Sequence, residues 1–564
     1  MAVRQIGIGS NPLKRLDKSW LPTGVAPPTL GGSRMSGQTA IRRDVGTIAL
    51  LMTGIGSIIG SGWLFGAWRA ATLAGPDAVY AWIIGAIIIL AIALTYAELG
   101  AMFPESGGMV RYGLYSHGSL VGFLAAWAIW ISLVAPIPVE AEASVQYMAS
   151  WPWEWAHNLY QNNELTPPGL GIAAVLVVIY FLLNFWSVKL FARSNTAITV
   201  FKLVVPALAA IALIVTAFHS GNFDIGLHEG PHIRSWPAIF TAVATSGIVF
   251  SYNGFQTPVN LAGEARNPGR SVPISVLGSV LICAVIYVLL QIAFLGAVPP
   301  EALAHGWSSL NYSSPFAQLA LAVGLNWLAL LLYIDAFISP SGTGINYTAS
   351  CARMIYAMQK NGHLPKMLGS LNPQFGVPRA AMWFDLAVAF IFLFFFRGWG
   401  QLAAVISVAN ILSYLAGPVS VMVLRRTAPN FHRPVRLPVL AFLAPVAFTF
   451  GTLLLYWARW PLTGGVILII IAALPVWFYY EAKGGWSDIQ KHLNGAWWLV
   501  TYLPTLAFLS WAGSEKFGGH DYIPYGWDLL VVGAAGLGFY FWGMRSGWST
   551  RQVQAAIAQP VDLS

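Results

Sequence analysis

The sequence predicts an all-α, polytopic membrane protein, and three observations carry that prediction. The 564 residues are 57% apolar and only 9% charged, whereas charged residues approach a quarter of a soluble globular chain. Apolar windows of roughly the twenty residues that cross a bilayer recur near positions 45, 79, 119, 170, 196, 238, 273, 317, 379, 401, 438, 462, 497 and 527; they are numbered helices 1 to 14. Two of them, helices 1 and 6, are interrupted by polar, glycine-bearing stretches: Gly56-Ser57-Ile58-Ile59-Gly60-Ser61-Gly62 and Ser251-Tyr252-Asn253-Gly254-Phe255-Gln256. Helices 13 and 14 follow a polar stretch, Glu481 to Gly495, and read as an appendage to a twelve-helix body.

Charge sets the expected orientation. With a cytoplasmic N-terminus, 24 of the 30 Lys and Arg lie inside, five lie outside (Arg69, Arg234, Arg397, Arg459, Lys516), and Lys202 falls within helix 5. The inverted topology would break the positive-inside bias. The formal charge of +9 therefore speaks of topology and of anionic lipid headgroups. It does not speak of nucleic acid, because no basic run is interleaved with stacking aromatics in a soluble segment. Residues 1–41 bear Pro, Gly and Ser with Lys14, Arg15, Lys18 and Arg34, and read as a disordered cytoplasmic tail without the apolar core of a signal peptide. Both termini are expected in the cytoplasm, with the body in the cytoplasmic membrane. Cys283 and Cys351 lie in apolar segments and give neither a disulfide framework nor a metal pattern. No metal-binding His/Glu cluster, no Ser-Lys or Ser-His pairing and no phosphate-binding loop is legible, which sets an enzyme aside and leaves no cofactor to expect.

In helix 1, Gly56, Gly60 and Gly62 permit unwound backbone and the close approach of a ligand. Unwinding at membrane depth is tolerated where the chain lines a cavity or packs in protein. Ser61 could cap the second half-helix, whose positive N-terminal end favours an anion such as a carboxylate. The carbonyls freed at the end of the first half-helix suit a cation such as an amino group, so a zwitterion fits both. The competing reading is that Gly56 and Gly60 only allow close helix packing. In helix 6, Asn253-Gly254 interrupts the helix, and Thr257-Pro258 supplies an N-cap followed by a proline at the first helical position. Phe250 and Phe255 flank the gap, where ordinary packing competes with a gating role. Paired breaks at matching positions of two halves point to a transporter site.

Several ordered motifs resemble the amino acid-polyamine-organocation (APC) transporter superfamily. The helix 1 stretch is similar to its Gly-Ser-Gly motif, and Gly254-Phe255 to its helix 6 Gly-Phe. The run Gly263-Glu264-Ala265-Arg266-Asn267-Pro268-Gly269-Arg270-Ser271-Val272-Pro273 resembles the loop that follows. Glu98-Leu99, Phe103-Pro104 and Ser106-Gly107-Gly108 resemble its helix 2–3 connection. Ser339 to Thr343, Arg353 to Met358 and Gly362-His363-Leu364-Pro365-Lys366 resemble helix 8 and its exit. The resemblance spans about residues 42 to 440, and is greatest to the bacterial members described as aspartate-proton symporters. It implies the leucine-transporter fold: a 5+5 inverted repeat with broken helices 1 and 6 around the substrate, and about four additional C-terminal transmembrane helices. The expected segments are residues 1–41 (tail), 42–218 (helices 1–5), 219–426 (helices 6–10), 427–481 (helices 11–12), 482–544 (helices 13–14) and 545–564 (cytoplasmic C-terminal tail). Family members often carry a glutamate after the Gly-Phe. Gln256 stands there instead, and an amide cannot relay a proton by titrating.

Charges inside the membrane are the remaining candidates. Lys202 stands about 10 Å into helix 5 at 1.5 Å per residue, where an unpaired ammonium costs at least a few kcal/mol. Snorkelling toward the headgroups is one reading. The other is proton coupling, since a lysine held from water can release and regain a proton. The resemblance favours the second, because in proton-coupled members a helix 5 lysine takes the place of a sodium ion beside helices 1 and 8. Asp335 precedes the Ser339–Thr343 run by about one turn and either faces the cavity or pairs with a cation. Glu140 and Glu142, two apart, cannot share one helix face; at most one faces the site, and the other is expected to meet water in the outer vestibule. Glu98 and Asp385, near cytoplasmic helix ends, are expected to pair with Arg or Lys.

The expected substrate-binding residues are thus Ile59, Gly60, Ser61, Gly62, Phe250, Tyr252, Asn253 and Gly254, with Lys202 and Asp335 as proton-coupling residues. The expected function is a secondary active permease importing an amino acid, with protons and lipids as the other partners. An amino acid or amine exchanger and a non-transporting sensor of the same fold are the alternatives. An acidic substrate such as aspartate would want a cationic or donor-rich pocket, and Arg69, at the outer end of helix 1, is better placed to steer anions than to hold them.

Overall fold

The computed structural model describes residues 43–558 except 106, 187, 373–375 and 487, and omits the side chains of 186–196, 556 and 558. The expected tail at residues 1–41 lies outside the described residues, as does the end of the expected 545–564 segment. Helices form at all fourteen apolar windows. Helix 1 is Thr47–Ile58 plus Gly62–Ala74, helix 2 is Ala78–Met102, helix 3 is Ser119–Val134 plus Pro136–Met148, helix 4 is Pro167–Trp186 and helix 5 is Val188–Ala217. Helix 6 comprises Trp236–Thr245, Ile248–Ser251 and Thr257–Asn260; helices 7, 8 and 9 are Pro268–Ala297, Asn326–Lys360 and Arg379–Phe395. Helix 10 is Trp399–Tyr414 plus Ala416–Thr427, helix 11 Leu440–Trp457, helix 12 Leu462–Ile471 plus Leu474–Lys483, helix 13 Ile489–Ala512 and helix 14 Trp527–Ser546.

Among the described residues, ten stretches are long and apolar enough to cross a membrane, by length and composition. The halves Thr47–Ile58 and Trp236–Thr245 are apolar but short, as the breaks require. Helix 9 has 17 residues, and helix 13 carries Lys491 and His492 in its first turn; neither is among the ten. The fold is thus the all-α polytopic one expected, with a break in the first helix of each five-helix set.

Packing divides the helices into two groups. Helix 7 lies against helices 1 and 2, and both helix 1 and helix 2 meet helix 6. Helix 8 lies against helices 3, 4 and 9, and helix 10 against helix 3. Helix 5 touches helices 1, 7 and 8 and so borders both groups. Beyond the first ten helices, helix 11 contacts helices 2, 6, 10 and 14, while helix 13 contacts helices 3, 12 and 14.

The expected cytoplasmic face is tied by polar contacts. Arg425 meets the fully buried Glu98 with two parallel bonds, Nε to Oε1 at 2.8 Å and Nη2 to Oε2 at 2.5 Å, a bidentate geometry that joins the ends of helices 10 and 2. Asp385 does not find the cation expected of it. Its Oδ1 accepts from the Trp130 indole at 2.8 Å and its Oδ2 is unpartnered, because helix 9 turns it toward helix 3 rather than toward the surface.

Two imidazoles outside the spanning segments are buried on this face. His117 Nε2 donates to the Gly543 carbonyl at 2.9 Å; His363 Nε2 bonds the Ser119 hydroxyl at 3.0 Å, and its Nδ1 has no partner. Burial pushes each imidazole down to about 4, with the neighbouring His492 adding to the effect at His363. The unfolded chain therefore binds more protons than the folded one between about pH 6.5 and 4, so acid destabilises the fold across that window. Each histidine accounts for at most roughly 3 kcal/mol. In detergent, the melting temperature should fall steadily from pH 7 to pH 5, and the His117→Asn/His363→Asn double variant should flatten that slope. An equal slope in both proteins would contradict the assignment.

Candidate substrate site between the broken helices

The first half of helix 1 ends where Ile59 N–H reaches the Ile55 carbonyl and Gly60 N–H turns back to Ile58 at 3.0 Å instead of continuing the ladder. The carbonyls freed by that turn have specific partners. Lys202 Nζ donates to the Gly56 carbonyl at 2.8 Å and to Thr343 Oγ1 at 2.6 Å, and Thr343 in turn donates to the Ile59 carbonyl at 3.3 Å. Lys202 is fully enclosed, so it does not snorkel. An ammonium at the C-terminal end of a half-helix complements the negative end of its dipole. Tyr287 of helix 7 places its hydroxyl 3.2 Å from the carbonyls of both Ile58 and Ser251, bridging the two breaks.

The second half of helix 1 begins differently from expectation. Ser61 sits at the N-cap but in a helical conformation, and its side chain makes no capping bond. Its hydroxyl instead accepts from the Trp399 indole of helix 10 at 2.9 Å. Glu140 supplies the carboxylate that the dipole favours, its Oε2 accepting from Ser61 N–H at 2.8 Å while Oε1 has no partner. A Cβ on Gly60 would fall 2.5 Å from that free oxygen, which is why this turn needs glycine. Of the two glutamates in helix 3, Glu140 is the one at the break. Glu142 points elsewhere, but neither meets a water-filled vestibule: both are buried, and both oxygens of Glu142 lack partners among the described residues.

Helix 6 is broken twice. The expected interruption at Asn253-Gly254 is present, and a second lies at Gly247, whose φ of +93° separates Trp236–Thr245 from Ile248–Ser251. Gln256, not Thr257, is the N-cap of the last segment, and Pro258 occupies its second position. The Gln256 amide braces the gap from within: Oε1 accepts from Gly254 N–H at 2.9 Å and Nε2 donates to Asn253 Oδ1 at 2.7 Å. An ionised glutamate could accept but not donate, so the amide has a structural reason. The Tyr414 hydroxyl of helix 10 lies 2.8 Å from Asn253 Oδ1 and 3.1 Å from Gln256 Oε1.

The structure brings Ile59, Gly60, Ser61, Gly62, Asn253 and Gly254 together where the breaks cross. Gly254 lies against the Ser57 backbone, and Gly62 against Ser251. Phe250 packs edge-on to Trp399 with ring centroids 5.9 Å apart. Tyr252 belongs elsewhere: its ring packs against Trp82 and Tyr287, and its hydroxyl donates to the Trp82 carbonyl, toward helices 2 and 7. Asp335 accepts from Ser339 of its own helix at 2.7 Å and is not among the partners of Lys202. Sequence reasoning did not reach Tyr287, Trp399 or Tyr414, which look like ordinary aromatics of apolar helices. Glu140 was visible only as one of an undecided pair.

A family model described as amino acid permease matches residues 45–503. The chain belongs to the amino acid permease family. A glutamate/serine transporter, AimA, of Bacillus subtilis (strain 168) is 56% identical over 519 residues, covering 92% of this chain and 96% of that protein. The aspartate-proton symporter of the same strain is 34% identical over 519 residues, covering 91% and 98%. A branched-chain amino acid permease, BcaP, of that strain is 23% identical over 457 residues, covering 79% and 95%. This permease is a multi-pass membrane carrier of amino acids, and the crossing of its two broken helices is the candidate place for the substrate. Half-helix geometry leaves the N–H groups of Gly62 and Trp63 without intrahelical acceptors, next to the Ser61 N–H that Glu140 holds.

Proposed function

We propose that this permease imports a small polar or acidic amino acid across the cytoplasmic membrane together with a proton, both termini facing the cytoplasm. The observation that carries the coupling is Lys202: one ammonium joins helix 5, the freed Gly56 carbonyl of helix 1 and Thr343 of helix 8. Loss of its proton removes one donor from that junction and weakens the tie between the first half of helix 1 and helix 8. Protonation thereby biases the relative position of the two helix groups, which is the differential interaction a coupled carrier requires. A fixed cation in this place also leaves no role there for sodium.

Glu140 is the second member of the proposed coupling set. Its carboxylate occupies the positive end of the second half-helix, so the substrate carboxylate must share or displace that contact. Substrate arrival and the state of Glu140 are thus linked at one N–H group. The names of the relatives support the substrate class, since glutamate, serine and aspartate all carry polar side chains.

The test is uptake by purified protein in proteoliposomes, using labelled glutamate, aspartate, serine, leucine and lysine, with and without an inward proton gradient. Accumulation of one or more of the three polar or acidic substrates above the external concentration, only with the gradient, is expected. Uptake that requires an amino acid preloaded inside would instead identify an exchanger.

A further inference from the structure

Helix 10 presents a stripe to the crossing of the broken helices, and two of its members are fixed by contacts. Trp399 reaches Ser61 of helix 1, and Tyr414 reaches Asn253 and Gln256 of helix 6. Asn410 stands eleven residues after the first and four before the second. At 3.6 residues per turn it lies within about 20° of Trp399 and about 40° of Tyr414 around the helix. The other faces of helix 10 are taken. Leu412, Leu415 and Ala416 line an apolar pocket with helices 3, 11, 12 and 13, and Val408 and Ile411 pack with Ala244 of helix 6 and Leu454 of helix 11. Asn410 therefore shares the stripe of helix 10 that carries the contacts to Ser61 and Asn253.

Its amide has nothing to bond there. Asn410 is fully buried, and both Nδ2 and Oδ1 lack a hydrogen-bond partner among the described residues. A buried donor and acceptor left unsatisfied are costly, and such groups in a native structure call for a reason. The polar groups that the stripe reaches are committed: Ser61 to Trp399, and Asn253 to Gln256 and Tyr414. Lys202 is spent on Gly56 and Thr343.

We infer that Asn410 reads the side chain of the transported amino acid, selecting side chains that carry a hydroxyl, amide or carboxyl group over aliphatic ones of equal size. This rests on the amino acid carrier reading and adds to it the group that discriminates. The amide offers two donor hydrogens and an acceptor, so it bonds a hydroxyl or a carboxyl with one geometry. A site that must hydrogen-bond its substrate rejects an analogue lacking the polar group, because its own buried atoms are then left unpaired.

The experiment compares wild type, Asn410→Leu and Asn410→Ser in proteoliposomes, using two matched pairs: serine against 2-aminobutyrate, and glutamine against norleucine. Wild type is expected to favour the polar member of each pair by about tenfold or more in kcat/KM. Asn410→Leu should bring both ratios to near one, with uptake of 2-aminobutyrate kept or raised, and Asn410→Ser should retain part of the preference. Unchanged ratios in Asn410→Leu overturn the inference. So does an equal loss of all four substrates in both variants, which would make Asn410 a structural brace. Failure of wild type to take up any amino acid overturns the carrier reading instead, so the two failures are told apart.

Discussion

Lys202→Met abolishes proton-driven accumulation while leaving equilibrating transport in place. The substitution keeps an unbranched apolar chain of similar length but removes every donor. Thr343 can still donate to the Ile59 carbonyl, so the lasting loss is the partner of the Gly56 carbonyl. One unsatisfied buried acceptor costs about 1–3 kcal/mol, small enough for a large membrane protein to survive folded. The functional loss is greater, because the proton that ties Gly56 to Thr343 through helix 5 is carried by Lys202 itself. Under an inward gradient of one pH unit, a one-proton symporter can concentrate its substrate up to roughly tenfold, since 1.4 kcal/mol is a factor of ten. The variant should reach only the external concentration at any gradient, yet still exchange labelled for unlabelled substrate. Full accumulation by Lys202→Met would end the coupling role of this lysine.

How much of this was legible beforehand depended on whether a residue's role is local. The break in helix 1 is written in three glycines and two serines within seven residues, and Lys202 stands out because a charge in an apolar run needs a reason. The second break of helix 6, at Gly247, was not legible: one glycine among apolar residues reads as tolerated. What demands it is the ring of Trp399, which a Cβ at this position would meet at 2.6 Å, a contact made across 152 residues of sequence. The spacing of Glu140 and Glu142 showed that they diverge, but the choice between them was made by where helix 3 lies against helix 1. Asn410 and Tyr414 were hidden for a reason peculiar to membranes. The other faces of helix 10 are buried against neighbouring helices rather than turned to water, so no amphipathic contrast marks the face that meets the substrate.

Gly254→Ala should remove transport altogether and lower the melting temperature, for reasons that compound. Its φ of +123° lies where residues with a side chain are strained, at about 1–3 kcal/mol. The new Cβ would sit 2.5 Å from the Ser57 carbonyl carbon, 2.6 Å from its oxygen and 2.7 Å from the Ile58 nitrogen. These are backbone atoms, and no rotamer change relieves the contact. Overpacking of this kind costs a further 1–3 kcal/mol or so, and relief requires helices 1 and 6 to part at the crossing. Parting moves Asn253 away from Tyr414 and Ser251 away from Tyr287, so both tethers of the unwound turn loosen together. Gly46→Ala is the matched control: it lies at the start of helix 1 with φ of −76°, and its Cβ would meet nothing within 4 Å. Purified Gly46→Ala should bind and transport as wild type does, while Gly254→Ala should show no uptake at any gradient. Wild-type uptake by Gly254→Ala would mean that the two unwound segments do not meet during transport, and the site built on their contact would have to be given up.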